Sequence, residues 1–252
     1  MTTFGRRSFT CPICQTVFVD TVVTSIMTYI GVLTYQQIFH TFLSLYGTGC
    51  STPGNSRFDG ISPFETDFYN SFWMHFTAPL TGYIHQCPSC MFSFMDSEFS
   101  ASDALREYVL SREIFEDMDQ ETLETTSSQF EIFGRVLVFD QVSDEQIAWA
   151  YLWASWQARE ERNCPNEKRF QLLAANYFEK AILEKNLKNN EAIEHIKYLI
   201  GELYRRAGEF DVAIEWFSRV NRNHPRAETA RRQMSLAEQQ NSNSSFFEAV
   251  DG

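Results

Sequence analysis

Charge of either sign is missing from Thr21 to Ser56, where the chain holds no Asp, Glu, Lys or Arg. Basic side chains are scarce overall: 21 Lys and Arg stand against 33 Asp and Glu, a net charge of -12. Nucleic-acid binding draws most of its strength from neutralised phosphates, so a chain with no basic stripe is expected to have no nucleic-acid partner. The start, Met1 to Arg7, runs into a cysteine motif with no apolar signal segment, and the expected setting is cytoplasmic. Catalytic signatures are also missing. The sequence contains no G-x-S-x-G, no H-E-x-x-H and no phosphate-cradling glycine loop, so no enzymatic activity is expected.

The uncharged stretch invites a membrane reading, but Gln36, Gln37, His40 and several threonines interrupt it. A spanning helix wants about 20 predominantly apolar residues, so membrane insertion is not expected. Ile26, Ile30, Leu33, Ile38, Phe42 and Leu45 recur at helical spacing, which predicts one or two packed helices inserted at about 21–56. Such an apolar insertion packs on its own domain, binds a partner or drives self-association.

Of the six cysteines, four form a pattern: Cys11-Pro12-Ile13-Cys14 and Cys87-Pro88-Ser89-Cys90. Two C-P-x-C knuckles supply the four thiolates of a tetrahedral Zn²⁺ site, and the proline presets the backbone angle of each turn. Cys11, Cys14, Cys87 and Cys90 are therefore the candidate metal ligands. Iron uses the same ligands. A four-sulfur site has no open coordination position and would secure structure without activating water. Gln15 and Met91 follow the knuckles where glycine is common. His85, near the second knuckle, is a weaker candidate ligand; His40 and His75 read as packing residues, and Cys50 and Cys164 are left over.

Aromatics crowd Phe58 to Phe76 and suggest a small core beside the metal, with Asp59, Glu65 and Asp67 among them. Ser100 or Ser102 can cap a helix after Phe99. Residues 100–145 carry three basic side chains against twelve acidic ones. The acids cluster from Glu113 to Glu124, which reads as a solvated acidic linker or, less usually for a charge run, a docking strip for a basic partner. Arg135 to Phe139 reads as a short strand.

From Ser143 onward the pattern is helical. Ser143 and Gln146 make a capping box that starts one long helix. A second is expected at about 167–187. Starting at Glu194, a roughly 34-residue tetratricopeptide beat places Ile200, Gly201, Tyr204, Ala213, Phe217 and Pro225 at its key positions. Gly201 and Ala213 let paired helices approach, Tyr204 and Phe217 fill the seam, Gly208 makes the turn, and Pro225 is expected to end the second helix. Helix pairs of this kind stack into binding surfaces. Tyr204, Arg205 and Phe217, with Ile38 and Phe42 in the uncharged stretch, are the candidate partner contacts. After Gln240 a flexible tail is expected.

The fold class read from these parts is α+β, mostly helical. A zinc-ribbon-like head spans 1–99 with its uncharged insertion; a helix and acidic linker follow at 100–142, a tetratricopeptide-like helical domain at 143–240 and the tail at 241–252. The function expected is that of a protein-binding adaptor or scaffold with a structural zinc site, the alternative being a thiol-based redox or zinc sensor.

The ordered motifs resemble an uncharacterised bacterial family, domain-of-unknown-function family 2225. The residues that carry the likeness are Cys11, Cys14, Asp67-Phe68-Tyr69, Tyr83, Cys87 and Cys90. In the helical part they are Glu202 to Gly208, Ala213 and Trp216-Phe217. The likeness covers roughly 8–20 and 56–225, with Gln15 and Met91 departing from the family's glycines. It implies this architecture and a bacterial cytoplasmic setting, and no activity.

Overall fold

The computed structural model describes residues 2–28, 31–34, 82–95, 99–184 and 190–242. Strand β1 (Thr2–Thr10) pairs antiparallel with β2 (Val17–Thr28), and β2 pairs with β3 (Gly31–Thr34). A second, smaller hairpin joins β4 (His85–Gln86) to β5 (Ser93–Phe94). Then come α1 (Asp103–Leu110), a 3-10 turn (Glu113–Phe115), α2 (Gln120–Leu123) and α3 (Thr126–Phe139). The helical half holds α4 (Asp144–Glu160), α5 (Cys164–Leu183), α6 (Asn190–Ala207), α7 (Phe210–Ser218) and α8 (Ala227–Glu238). The fold is α+β and mostly helical, with Cys11, Cys14, Cys87 and Cys90 on the N-terminal hairpins.

Several helices start where the sequence places an oxygen-bearing side chain. Ser102 accepts from the Leu105 N–H at 3.1 Å, and Ser143 accepts from the Gln146 N–H at 3.4 Å. Asn163 accepts from the Asn166 N–H at 3.2 Å, with Pro165 in the first turn of α5. Each such cap removes one of the orphan donors at a helix start and is worth about 1 kcal/mol.

Three expected elements change. Residues 21–28 and 31–34 lie in β2 and β3 and not in helices. Val22, Val23, Thr24, Ile26 and Thr28 are β-branched, and they extend a strand already paired to β1. The rest of the uncharged stretch, including Ile38, Phe42 and Cys50, and the aromatic run to Phe76 lie outside the described residues. Arg135 to Phe139 is the last turn and a half of α3, because a short apolar run reads the same in a buried strand and a buried helix. Pro225 does not end α7, which stops at Ser218 with Arg219 as its cap. It precedes α8, where its missing N–H costs no helical hydrogen bond.

The acidic segment is no mere spacer. Ile114, Phe115 and Leu123 are buried in the core of the cysteine head while the acids around them face solvent. Helix α3 then ties the two halves together. Its Ile132 and Val136 belong to the head core, and its Phe130 belongs to the helical core with Trp149, Trp153 and Phe178. Arg135 donates to the Ile114 and Glu116 carbonyls, each at 2.9 Å, and to Glu131 at 2.8 Å. Glu131, 2% exposed, also receives Arg169 of α5 through two bonds of 2.8 and 2.6 Å. Tyr83, Ile84 and Met95, which flank the second knuckle, pack into the helical core as well.

In the helical half each helix packs chiefly on the next, α4 on α5, α5 on α6, α6 on α7 and α7 on α8. The α6–α7 corner follows the small-residue logic of the sequence. Gly208 takes φ +83°, and the Glu209 N–H reaches back to the Tyr204 carbonyl at 2.9 Å to close the turn. No helix among the described residues is long and apolar enough to cross a membrane.

Candidate metal centre

The two knuckles are built alike. In the first, the Cys11 N–H donates to the Thr16 carbonyl at 2.9 Å and the Gln15 N–H donates to the Cys11 carbonyl at 3.0 Å. In the second, the Cys87 N–H donates to the Phe92 carbonyl at 2.9 Å and the Met91 N–H donates to the Cys87 carbonyl at 2.8 Å. The residue after each second cysteine is left-handed: Gln15 and Met91 both have φ 63°. The turn thus keeps the glycine conformation without the glycine, at a cost of roughly 1–2 kcal/mol per residue.

This equivalence brings the four sulfurs together. Cys11 Sγ lies 3.6 Å from Cys90 Sγ, Cys14 Sγ lies 3.5 Å from Cys87 Sγ, and all four sulfurs lie within 4.8 Å of one another. None is in a disulfide. A tetrahedron of sulfurs about 2.3 Å from a central Zn²⁺ has edges of about 3.8 Å, close to both cross-knuckle distances. Four cysteines so placed can hold a metal ion. Cys11, Cys87 and Cys90 are buried, and Cys14, beside the Thr16 hydroxyl at 3.2 Å, is partly open.

The thiols do not ionise independently. The hydrogen bond from Cys90 draws Cys11 down to about 5, and the same contact pushes Cys90 upward. Burial pushes Cys87 up to about 11. Thiolates this close repel one another and resist desolvation, and a cation is what allows all four to carry charge together.

A box of aromatic rings supports the sulfurs, and it too is symmetric. Phe9 and His85 each stand two residues before a knuckle, and Phe18 and Phe94 each stand four residues after one. Phe9 pairs with Phe18 across the first hairpin and His85 with Phe94 across the second. The hairpins meet with Phe9 and His85 at 4.1 Å between ring centres and Phe18 and Phe94 at 6.3 Å. His85 is fully buried and its Nδ1 lies 3.1 Å from Asp20 Oδ2, so it orients the hairpins and does not join the cysteine group. Asp20 is held below its ordinary value: burial opposes this, but the His85 bond and the Thr21 N–H at 2.7 Å outweigh it. Neither Asp20 nor this box shows in the cysteine motifs themselves; the matched spacing of aromatics about the two knuckles is the signal that marks them.

The partner contacts named from sequence fare differently. Arg205 has no exposed surface, and its guanidinium bonds Glu202 at 2.8 and 2.7 Å. Phe217 is 3% exposed and packs on Tyr198 and Gly201. Both are interior residues, which corrects their placement on a docking face: the tetratricopeptide beat marks helix seams before it marks surfaces. Tyr204 is half-buried beside Glu179.

The arrangement defines a class: a head clipped by a four-cysteine site and fused through α3 to a stack of helices. The family described as an uncharacterised protein conserved in bacteria, DUF2225, matches residues 4–243, and the chain belongs to that family. No curated protein and no solved structure matches it.

Proposed function

We propose that the protein is a non-enzymatic adaptor or scaffold in the bacterial cytoplasm, in which a structural Zn²⁺ on Cys11, Cys14, Cys87 and Cys90 secures a head that positions a helical-repeat surface for a protein partner. The observation that carries this reading is the succession of packings from α4 to α8, each helix set on its chain neighbour, which is how repeat proteins build extended binding faces. The closed four-sulfur set supports a structural metal, since it leaves no position for a substrate or an activated water. With Arg205 and Phe217 inside, the docking face draws on exposed apolar residues such as Leu183, 79% exposed, and Val212.

Affinity purification of the full chain at native expression tests this. The expected result is a protein that co-purifies with wild type and is lost from Leu183→Asp combined with Val212→Asp, both surface changes that leave the core alone. Absence of any co-purifying protein, or one indifferent to the pair, contradicts the adaptor role. Self-association through the uncharged stretch is tested by light scattering of a variant lacking 35–56, which spares β2 and β3.

One feature favours a second reading, that of a thiol-based redox or zinc sensor. Cys14 is partly open while its partners are buried, which gives an oxidant one point of entry to the quartet. Release of the metal at micromolar peroxide supports it, and a quartet inert to millimolar peroxide dismisses it.

A further inference from the structure

Helices α4, α5 and α6 line a partly open cavity of about 40 Å³ that has no part in the cysteine site. A single water needs about 10–15 Å³ of such space, so there is room for a larger guest. The walls are of two kinds. Leu152, Trp156, Leu199 and Leu203 are apolar, whereas Arg159, Gln171, His195 and Arg206 bring polar groups to the same space.

The acids in the neighbourhood are already engaged. Glu202, which also lines the cavity, accepts from Arg205 at 2.7 and 2.8 Å and from Arg206 Nε at 2.6 Å. Glu167 accepts from Arg159 Nε at 2.7 Å and from Gln171 Nε2 at 2.9 Å. Arg159 is held below the ordinary arginine value, first by burial and next by the like charge of Arg206, with Glu167 and Glu202 pulling the other way. In the cavity wall Arg159 and Arg206 stand against a single acid, Glu202, so the wall carries a net positive charge, and it is bounded by hydrocarbon, where a charge interaction is stronger than in water.

We propose that this cavity binds a small organic carboxylate, its oxygens set against Arg159 and Arg206 and its short apolar stem against Leu152, Trp156, Leu199 and Leu203. A planar carboxylate can accept from the guanidinium edges turned away from Glu167 and Glu202, and a branched stem of a few carbons matches the apolar wall. The inference is independent of the adaptor reading and of the metal.

The test uses the full metal-loaded chain at neutral pH and fixed ionic strength, titrated with 3-methylbutanoate, acetate, inorganic phosphate and chloride. Thermal unfolding and the ¹⁵N signal of the Trp156 indole are followed. The expected result is a saturable rise in Tm and a shift of that signal with 3-methylbutanoate, at lower concentration than with acetate and with neither effect from chloride. Arg159→Lys keeps a charge for Glu167 but loses the fork, and should weaken the effect about tenfold, a change of about 1.4 kcal/mol. Arg219→Lys, in an exposed ion pair, should not. If Arg159→Lys folds poorly, the wild-type indole signal still decides. Equal effects of all four anions overturn the site, an effect of phosphate alone overturns the organic carboxylate, and an indole that does not respond to 3-methylbutanoate overturns the location.

Discussion

Gly201 of α6 lies so close to Phe217 of α7 that a Cβ placed on the glycine would meet the ring Cδ1 and Cε1 at 2.7 Å. Phe217 cannot readily retreat, because its ring is buried against Tyr198 with centroids 5.9 Å apart. Alanine is the better helix former by about 1 kcal/mol, yet overpacking a filled seam typically costs about 1–3 kcal/mol. Gly201→Ala is therefore expected to lower the urea midpoint. Phe217→Leu should restore part of the loss when combined with it, giving a coupling that a double-mutant cycle measures. Additive effects would place the clash elsewhere.

Gln15 tests the knuckle geometry in the opposite direction. Its side chain is exposed, and its bond to the Pro12 carbonyl is long at 3.3 Å, so little is lost with it. Gln15→Gly should stabilise the metal-loaded protein by up to about 1 kcal/mol by relieving a left-handed non-glycine residue. Gln15→Val, branched at Cβ, should destabilise it. Thermal unfolding of the two variants beside wild type checks the order.

Glu131 joins α3 to α5 from inside the molecule. Its carboxyl lies below its ordinary value of 4.5: burial works against this, and Arg169 foremost, with Arg135, overcomes it. A carboxyl lowered by folding contributes stability that is fully present above the unfolded value and is lost as pH falls through the folded one. Wild type should accordingly lose stability as pH drops from about 4.5 downward. Glu131→Gln should lose about 3–5 kcal/mol at neutral pH, because it leaves Arg135 and Arg169 facing an uncharged group in the interior, and should show a flatter acid limb. Urea unfolding at pH 7 and pH 4 measures both.

Much of this was written plainly in the chain. The paired C-P-x-C runs, the Ser143 cap and the Gly201, Gly208 and Ala213 pattern each rest on local chemistry that a sequence displays. What stayed hidden depends on partners far along the chain. The strand character of residues 21–34 is decided by pairing with β1, and Arg135 to Phe139 could not be told from a strand until its two sides were seen to face two cores. Arg205 looked like a surface residue because charge usually is; its burial rests on Glu202, three residues earlier, and on the Asn241 carbonyl at 2.5 Å, 36 residues later. The acidic stretch hid Ile114, Phe115 and Leu123 among its charges.

With the proposed metal in place, its removal should be felt beyond the head, since Tyr83, Ile84 and Met95 beside the second knuckle are part of the helical core. A chelator strong enough to strip the site should lower the Tm of the helical far-UV signal along with that of the head. Removing a structural zinc withdraws folding free energy directly. A helical transition unmoved by chelation would show that the halves fold independently.

The most direct measurement is metal content by mass spectrometry of the purified full chain, beside Cys87→Ser and Cys14→Ser. The expected result is one zinc per wild-type chain and a large fall in both variants, the buried Cys87 giving the greater loss of stability. A wild-type chain that carries no metal, or variants that keep a full equivalent, would contradict the assignment of the four sulfurs to a single ion.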